Sequence, residues 1–246
     1  MAVVPADTTT SSCEGDDSDS GDDSDGRDVF GGLAGEGGPD QLAEGPDGVR
    51  EALERGWAAS DSDERMEAFE EAEGLARDAL EDDPCDADAR WWLVASLGFR
   101  AQEASLHRRV PLAREVHQEA LELLEAAPDH AGAHHTVGRL HAGIERLNRA
   151  ERWLLLRIVG DEHWESASLE KAEAHLHQAL ALQPGVPHHR VEMARILKAK
   201  DRPKEAHWHA LIARGLPSDA PLAHWYRGWA ADLLETLNGE LPTGDT

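Results

Sequence analysis

The sequence predicts an all-α fold: a right-handed α-solenoid of about four helix pairs, closed by a C-terminal capping helix. Three observations predict it. From Val49 onward Ala, Leu, Glu and Arg dominate and β-branched residues never gather into alternating runs, so no sheet is expected. Small and aliphatic residues recur at offsets of four and three, each block followed by a proline. Each block is preceded by a second apolar-periodic segment with its own small residues, as a helix hairpin requires.

The clearest block is "SLEKAEAHLHQALALQPG", with Ala172, Leu176, Ala179 and Pro184. "AFEEAEGLARDALEDDP" repeats the spacing with Phe69, Ala72, Ala76, Ala79 and Pro84. "REVHQEALELLEAAP" carries Val116, Ala120, Leu123 and Pro128, and "PKEAHWHALIARGLP" carries Ala206, Ala210, Ala213 and an early Pro217. Offsets of four and three hold these side chains on one helix stripe, and small residues there admit a neighbouring helix. The proline stops the helix and sets the turn into the next.

The expected partner helices precede these blocks. "VREALERGWAAS" is short and poorly matched. "ARWWLVASLGFRAQ" offers Trp91, Val94, Ala95 and Gly98, and "GAHHTVGRLHAGI" offers Val137 with Gly138 at the close-contact point. "HHRVEMARILKAK" offers Met193, Ala194 and Leu197, and "DAPLAHWYRGWAADLLETL" suits a cap over the open end. Between the third pair's members lies a long insertion, "ERLNRAERWLLLRIVGDEHWESA".

This spacing resembles the tetratricopeptide repeat. The "GR" of the third A helix, the long extension, an aliphatic-Gly turn and then "SLEKAEAHLHQALALQP" are similar to the regulator of microtubule dynamics family. The resemblance covers roughly Trp57 to Leu237. Eukaryotic members of that family carry a tetratricopeptide-like domain associated with microtubules or membrane contact sites. What the resemblance implies here is a non-catalytic interaction scaffold.

The 246 residues carry a net charge of −25, which argues against nucleic acid or an anionic membrane as a partner of the whole chain. Residues 1–48 hold −12 of it and the other 198 residues −13. The tract "CEGDDSDSGDDSDGRD" and the Gly-rich stretch after it have too few apolar groups to order, so residues 1–46 are expected to be a disordered acidic tail. The helical domain is expected over 47–238 and a disordered C-terminus over 239–246. Scarce lysine beside abundant Asp and Glu would suit a cytoplasm rich in salt.

No apolar run is long enough to span a membrane, and the start lacks the basic and apolar regions of a secretory signal. With only Cys13 and Cys85, no disulfide framework is expected and a cytoplasmic location is the default.

In this repeat class helix A of each pair lines the concave face. The positions facing it are Trp92, Ser96, Phe99 and Arg100 in the second pair, His135, Arg139 and Arg146 in the third, and His188, Val191, Arg195 and Lys198 in the fourth. A basic, aromatic groove in an acidic protein predicts capture of an acidic or carboxylate-ended peptide, because arginine forks grip carboxylates bidentately. The expected ligand contacts are Trp92, Phe99, Arg100, His135, Arg139, Arg146, His188, Arg195 and Lys198. The competing expectation is that these arginines bridge to Glu on adjacent helices. The acidic tail is a further candidate occupant in cis, since a short tether gives an effective concentration of roughly millimolar. An anionic lipid head group and an accessory subunit with a histidine metal site are the alternatives.

No catalytic, cofactor or metal motif stands out. HExxH, G-x-S-x-G, P-loop and G-x-G-x-x-G patterns are absent. His175/His177 and His207/His209 are two apart and diverge on a helix. His130/His134 at four apart and His134/His141 at seven share a face but have no evident third ligand. Trp91, Trp153, Trp164, Trp208, Trp225 and Trp229 are expected to pack in the core and cap.

Overall fold

A computed structural model describes residues 45–147, 149, 152–153, 156–157, 162–217 and 223–240. Ten helical segments lie among them: α1 Val49–Ala58, α2 Ser62–Asp82, α3 Ala87–Glu103, α4 Leu106–Ala126, α5 Ala131–Glu145, α6 Glu162–Glu165, α7 Leu169–Leu182, α8 Pro187–Ala199, α9 Pro203–Gly215 and α10 Ala223–Glu240. No strand occurs among the described residues. The expected tails over 1–46 and 239–246 lie largely outside the described residues, as does the side chain of Trp225.

The helices pair as α1/α2, α3/α4, α5/α7 and α8/α9, and α10 closes the stack against α9 and α8. The first members of successive pairs also touch, α3 with α5, α5 with α8 and α8 with α10. This is the solenoid that the spacing predicts: helices α3, α5, α8 and α10 line up on one side.

The recurring stripe is what the stack buries. Ala72, Ala76, Ala120, Leu123, Ala172, Leu176, Ala179, Ala206, Ala210 and Ala213 are fully buried, and Ala79 is half-buried. Pro84, Pro128, Pro184 and Pro217 each stand directly after the residue that caps α2, α4, α7 and α9. Asp61, Asp86 and Ser168 accept backbone N–H groups at the starts of α2, α3 and α7. A close helix approach falls at Gly138, where a Cβ would stand 2.1 Å from Leu176 Cδ2 and 3.1 Å from the Ala172 carbonyl oxygen. Only a residue without a side chain lets α5 lie this near α7.

Two apolar cores follow along the stack. One gathers Phe69, Trp92, Leu93 and Leu97 and the other Leu176, Met193, Leu197 and Leu237. The insertion after α5 is anchored by Trp164, which is buried with Ile144 and Ala167 and donates from Nε1 to His117 Nδ1 at 2.9 Å. The tryptophans do not all pack inside as expected. Trp153, Trp208 and Trp229 are exposed.

Candidate functional site

The nine expected ligand contacts divide into three groups by position. Trp92 is a correction: it is fully buried in the N-terminal core, and Gly45 is seated directly on its indole, where a Cβ would fall 1.8 Å from Nε1. Arg50 closes over the same ring, 5.6 Å from its centroid. Phe99 is also turned inward, stacked on Phe69 at 5.4 Å and edge-on to Trp57 at 5.2 Å. Arg100 donates to Glu70 at 2.8 Å and to Glu73. Burial works against its charge, but the two carboxylates outweigh burial and raise its pKa. The second pair therefore spends its expected contacts on core and internal ion pairs.

His135 and His188 form the second group. They pack against each other and against His189, beneath the inner surface of α5 and α8. His135 is buried and His188 is half-buried. Neither lies open on the groove surface as expected.

Arg139, Arg146, Arg195 and Lys198 form the third group; the last three border one open hollow, and Arg139 is exposed and acts on the same buried carboxylate as Arg146 and Arg195. Arg146, Arg195, Lys198 and Ala199 surround a hollow of about 420 Å³. Two of these residues share Glu192 on α8, whose side chain is 4% exposed. Arg146 donates to it at 2.7 Å and Arg195 at 3.2 Å. Burial would raise the Glu192 carboxyl, but Arg146, Arg139 and Arg195 outweigh it and hold it below the usual carboxylate range. One buried carboxylate thus faces three guanidinium groups. Arg139 is exposed and has no ion-pair partner among the described residues.

The capping helix completes this wall, which the sequence reading missed. The Arg195 guanidinium lies 5.1 Å from the centroid of the exposed Trp229 ring, and Tyr226 stands edge-on to Trp229 at 5.2 Å. The signal was available: α10 occupies the place of a fifth A helix, so its residues should face inward like those of α5 and α8.

Other histidines hold structural posts. His130 Nδ1 accepts the Ala133 N–H as the cap of α5, and His134 pairs with His175 at 3.0 Å and with the Pro128 carbonyl at 2.9 Å. Among the described residues no helix is long and apolar enough to cross a membrane.

Comparison with known proteins adds the lineage. The profile of the family described as "Regulator of microtubule dynamics protein 1-3" matches residues 50–238. A solved structure of a thermophilic tetratricopeptide-repeat protein from Thermus thermophilus is similar at 18% identity, covering 76% of this chain and 99% of that one, with a TM-score of 0.44. No curated protein matches.

Proposed function

The chain belongs to the regulator of microtubule dynamics family, and from that premise we propose that it is a non-catalytic protein-interaction scaffold. Its helical domain, 47–238, takes an acidic or carboxylate-bearing segment into the inner wall formed by α5, α8 and α10. Among the described residues three guanidinium groups act on one carboxylate beside the hollow, and this surplus of positive charge is the observation that carries the reading. Glu192 engages Arg146 and Arg195. Lys198 lines the hollow and Arg139 stands close enough to act on Glu192. Charge-assisted hydrogen bonds to a bound carboxylate would answer that surplus. Trp229 adds an apolar ring at the same place, as peptide-binding grooves commonly do.

The acidic tail, residues 1–46, is the candidate occupant in cis. The partner in trans is a protein segment of the same chemistry. We place this activity in the cytoplasm.

Fluorescence anisotropy with a labelled acidic peptide tests the reading. Wild-type protein lacking residues 1–44 should bind more tightly than the full chain, and affinity should fall as salt rises. Arg139→Glu with Arg195→Glu should abolish binding, while Arg100→Glu should leave it intact. Equal affinity in wild type and the double variant would refute the groove. Equal affinity with and without the tail would refute only the cis occupant.

A further inference from the structure

The strongest unassigned cluster in the molecule lies under the groove, and the repeat itself builds it. The third A helix reads "HHTV" at 134–137 and the fourth reads "HHRV" at 188–191. These dihistidines occupy the same register. Stacking of α5 on α8 therefore brings His135 to its counterpart His189. Their Nδ1 atoms stand 3.0 Å apart. His188 closes the group, with its ring centroid 4.3 Å from that of His189 and 4.7 Å from that of His135.

We propose that His135, His188 and His189 form a binding site for a divalent transition-metal ion of the zinc class. One ring nitrogen from each residue lies within 4.8 Å of the others. Tetrahedral coordination at a Zn–N distance of about 2.0–2.1 Å sets ligand nitrogens about 3.3 Å apart. The His135–His189 pair must open by only a few tenths of an ångström. His188, half-buried on the groove side, draws in from the farther positions.

The surroundings fit ligation. His189 Nε2 lies 3.3 Å from Gln183 Oε1, so an N–H there donates to the amide and leaves Nδ1 as the lone pair facing His135. Metal-bound histidines are ordinarily oriented by such a partner on the second ring nitrogen. Burial, with neighbouring charge, keeps all three rings neutral, the form that ligates.

The charges nearby select the fourth ligand. Arg139 and Arg195 act on the cluster, and the first turn of α8 adds its own positive end. A bare dication is weakened there, whereas a dication carrying an anion is not. The fourth position is therefore taken by hydroxide, chloride or a carboxylate. The site sits on two A helices, so the ion ties the third repeat to the fourth.

Full-length, tag-free protein stripped with EDTA provides the test. Millimolar Mg(II) first occupies the carboxylates of the acidic tract, because Mg(II) prefers oxygen ligands. Co(II) titration should then give the visible absorption of a tetrahedral site, saturating at one ion per chain, and Zn(II) should bleach it. His188→Ala should lower affinity at least tenfold, and Gln183→Ala by about 10–100-fold. His175→Ala, outside the cluster, should bind as wild type. Should His188→Ala lose its helical circular dichroism, Gln183→Ala and the Zn(II)-induced rise in wild-type Tm carry the test. Absence of the tetrahedral band in wild type overturns the proposal. So does a band undiminished in both His188→Ala and Gln183→Ala. Peptide affinity is read separately on stripped protein, so failure of the metal site leaves the groove untouched, and the reverse.

Discussion

Two identical substitutions on α5 separate helix packing from helix propensity. Gly138 and Gly143 both lie in this helix, but a Cβ at Gly138 meets Leu176 Cδ2 at 2.1 Å, the Ala172 carbonyl at 3.1 Å and His175 Cβ at 3.3 Å. A Cβ at Gly143 meets nothing within 4 Å. Alanine in place of a helical glycine gains about 0.5–1 kcal/mol of conformational free energy at either site. At Gly138 that gain is opposed. Leu176 is fully buried and cannot swing into solvent, and the Ala172 carbonyl is backbone, so α7 must shift. Overpacking of this kind costs about 1–3 kcal/mol. Gly143→Ala should therefore raise stability slightly, and Gly138→Ala should fall about 1–3 kcal/mol below it. For a chain of this size the gap corresponds to about 2–12 °C in Tm. Thermal and urea melts of the two variants, followed by circular dichroism, read it. Gly138→Ala melting at or above Gly143→Ala would refute the close α5–α7 approach. Adding Leu176→Val to Gly138→Ala should cost less than the sum of the single changes, because it relieves part of the same clash.

Glu192→Gln removes the charge beside the hollow and leaves Arg146 and Arg195 without their shared carboxylate. Loss of charged hydrogen bonds to a buried group should lower stability by about 1–3 kcal/mol in urea denaturation, and the added positive surplus should tighten binding of an acidic peptide. Stability unchanged from wild type would contradict the role given to Glu192. Acid should also weaken the fold. Burial, reinforced by His188, Arg139, Arg195 and Arg190, holds His135 and His189 well below the ordinary imidazole value, and burial with Arg139 brings His188 to about 3. The unfolded chain thus protonates first. Stability contributed by the neutral rings is full above the unfolded value of about 6.5 and declines as pH falls toward the folded values. Urea midpoints in EDTA should drop between pH 7.5 and 5, and a constant midpoint would contradict the burial.

The helix pairs were legible because their signals are local. A stripe at offsets of four and three and a closing proline lie within one helix length, and both fell where expected on α2, α4, α7 and α9. Gly138 was legible for the same reason. The fate of Trp92 was not, because it depends on where Gly45, far upstream, comes to rest. Arg100 was misread for a related cause: its carboxylates are 27 and 30 residues earlier, on the preceding helix. The histidine cluster needed the register between repeats. His135 and His189 are 54 residues apart, and only the matching "HHTV" and "HHRV" hint that they meet.

These misreadings share a physical origin that also locates the groove. An arginine on an A helix faces two claims, one from a ligand and one from glutamates on the neighbouring B helix. In the second pair the glutamates win. Arg90 on α3 is held by Glu119 and Glu122 of α4, and Arg100 on α3 by Glu70 and Glu73 of α2. At the turn between α8 and α9, Glu173 of α7 likewise draws Lys200 and Arg202. On the inner wall of α5 and α8, Glu192 is the carboxylate that answers both Arg146 and Arg195 among the described residues. Local charge balance, rather than the −25 of the whole chain, decides where an anion can bind. If that reasoning holds, moving one acid suffices to close the site. Lys198→Glu should set a second carboxylate against the same guanidinium groups, leave the helices intact and abolish capture of an acidic peptide. Capture surviving that change would show that the inner wall is not where the partner lies.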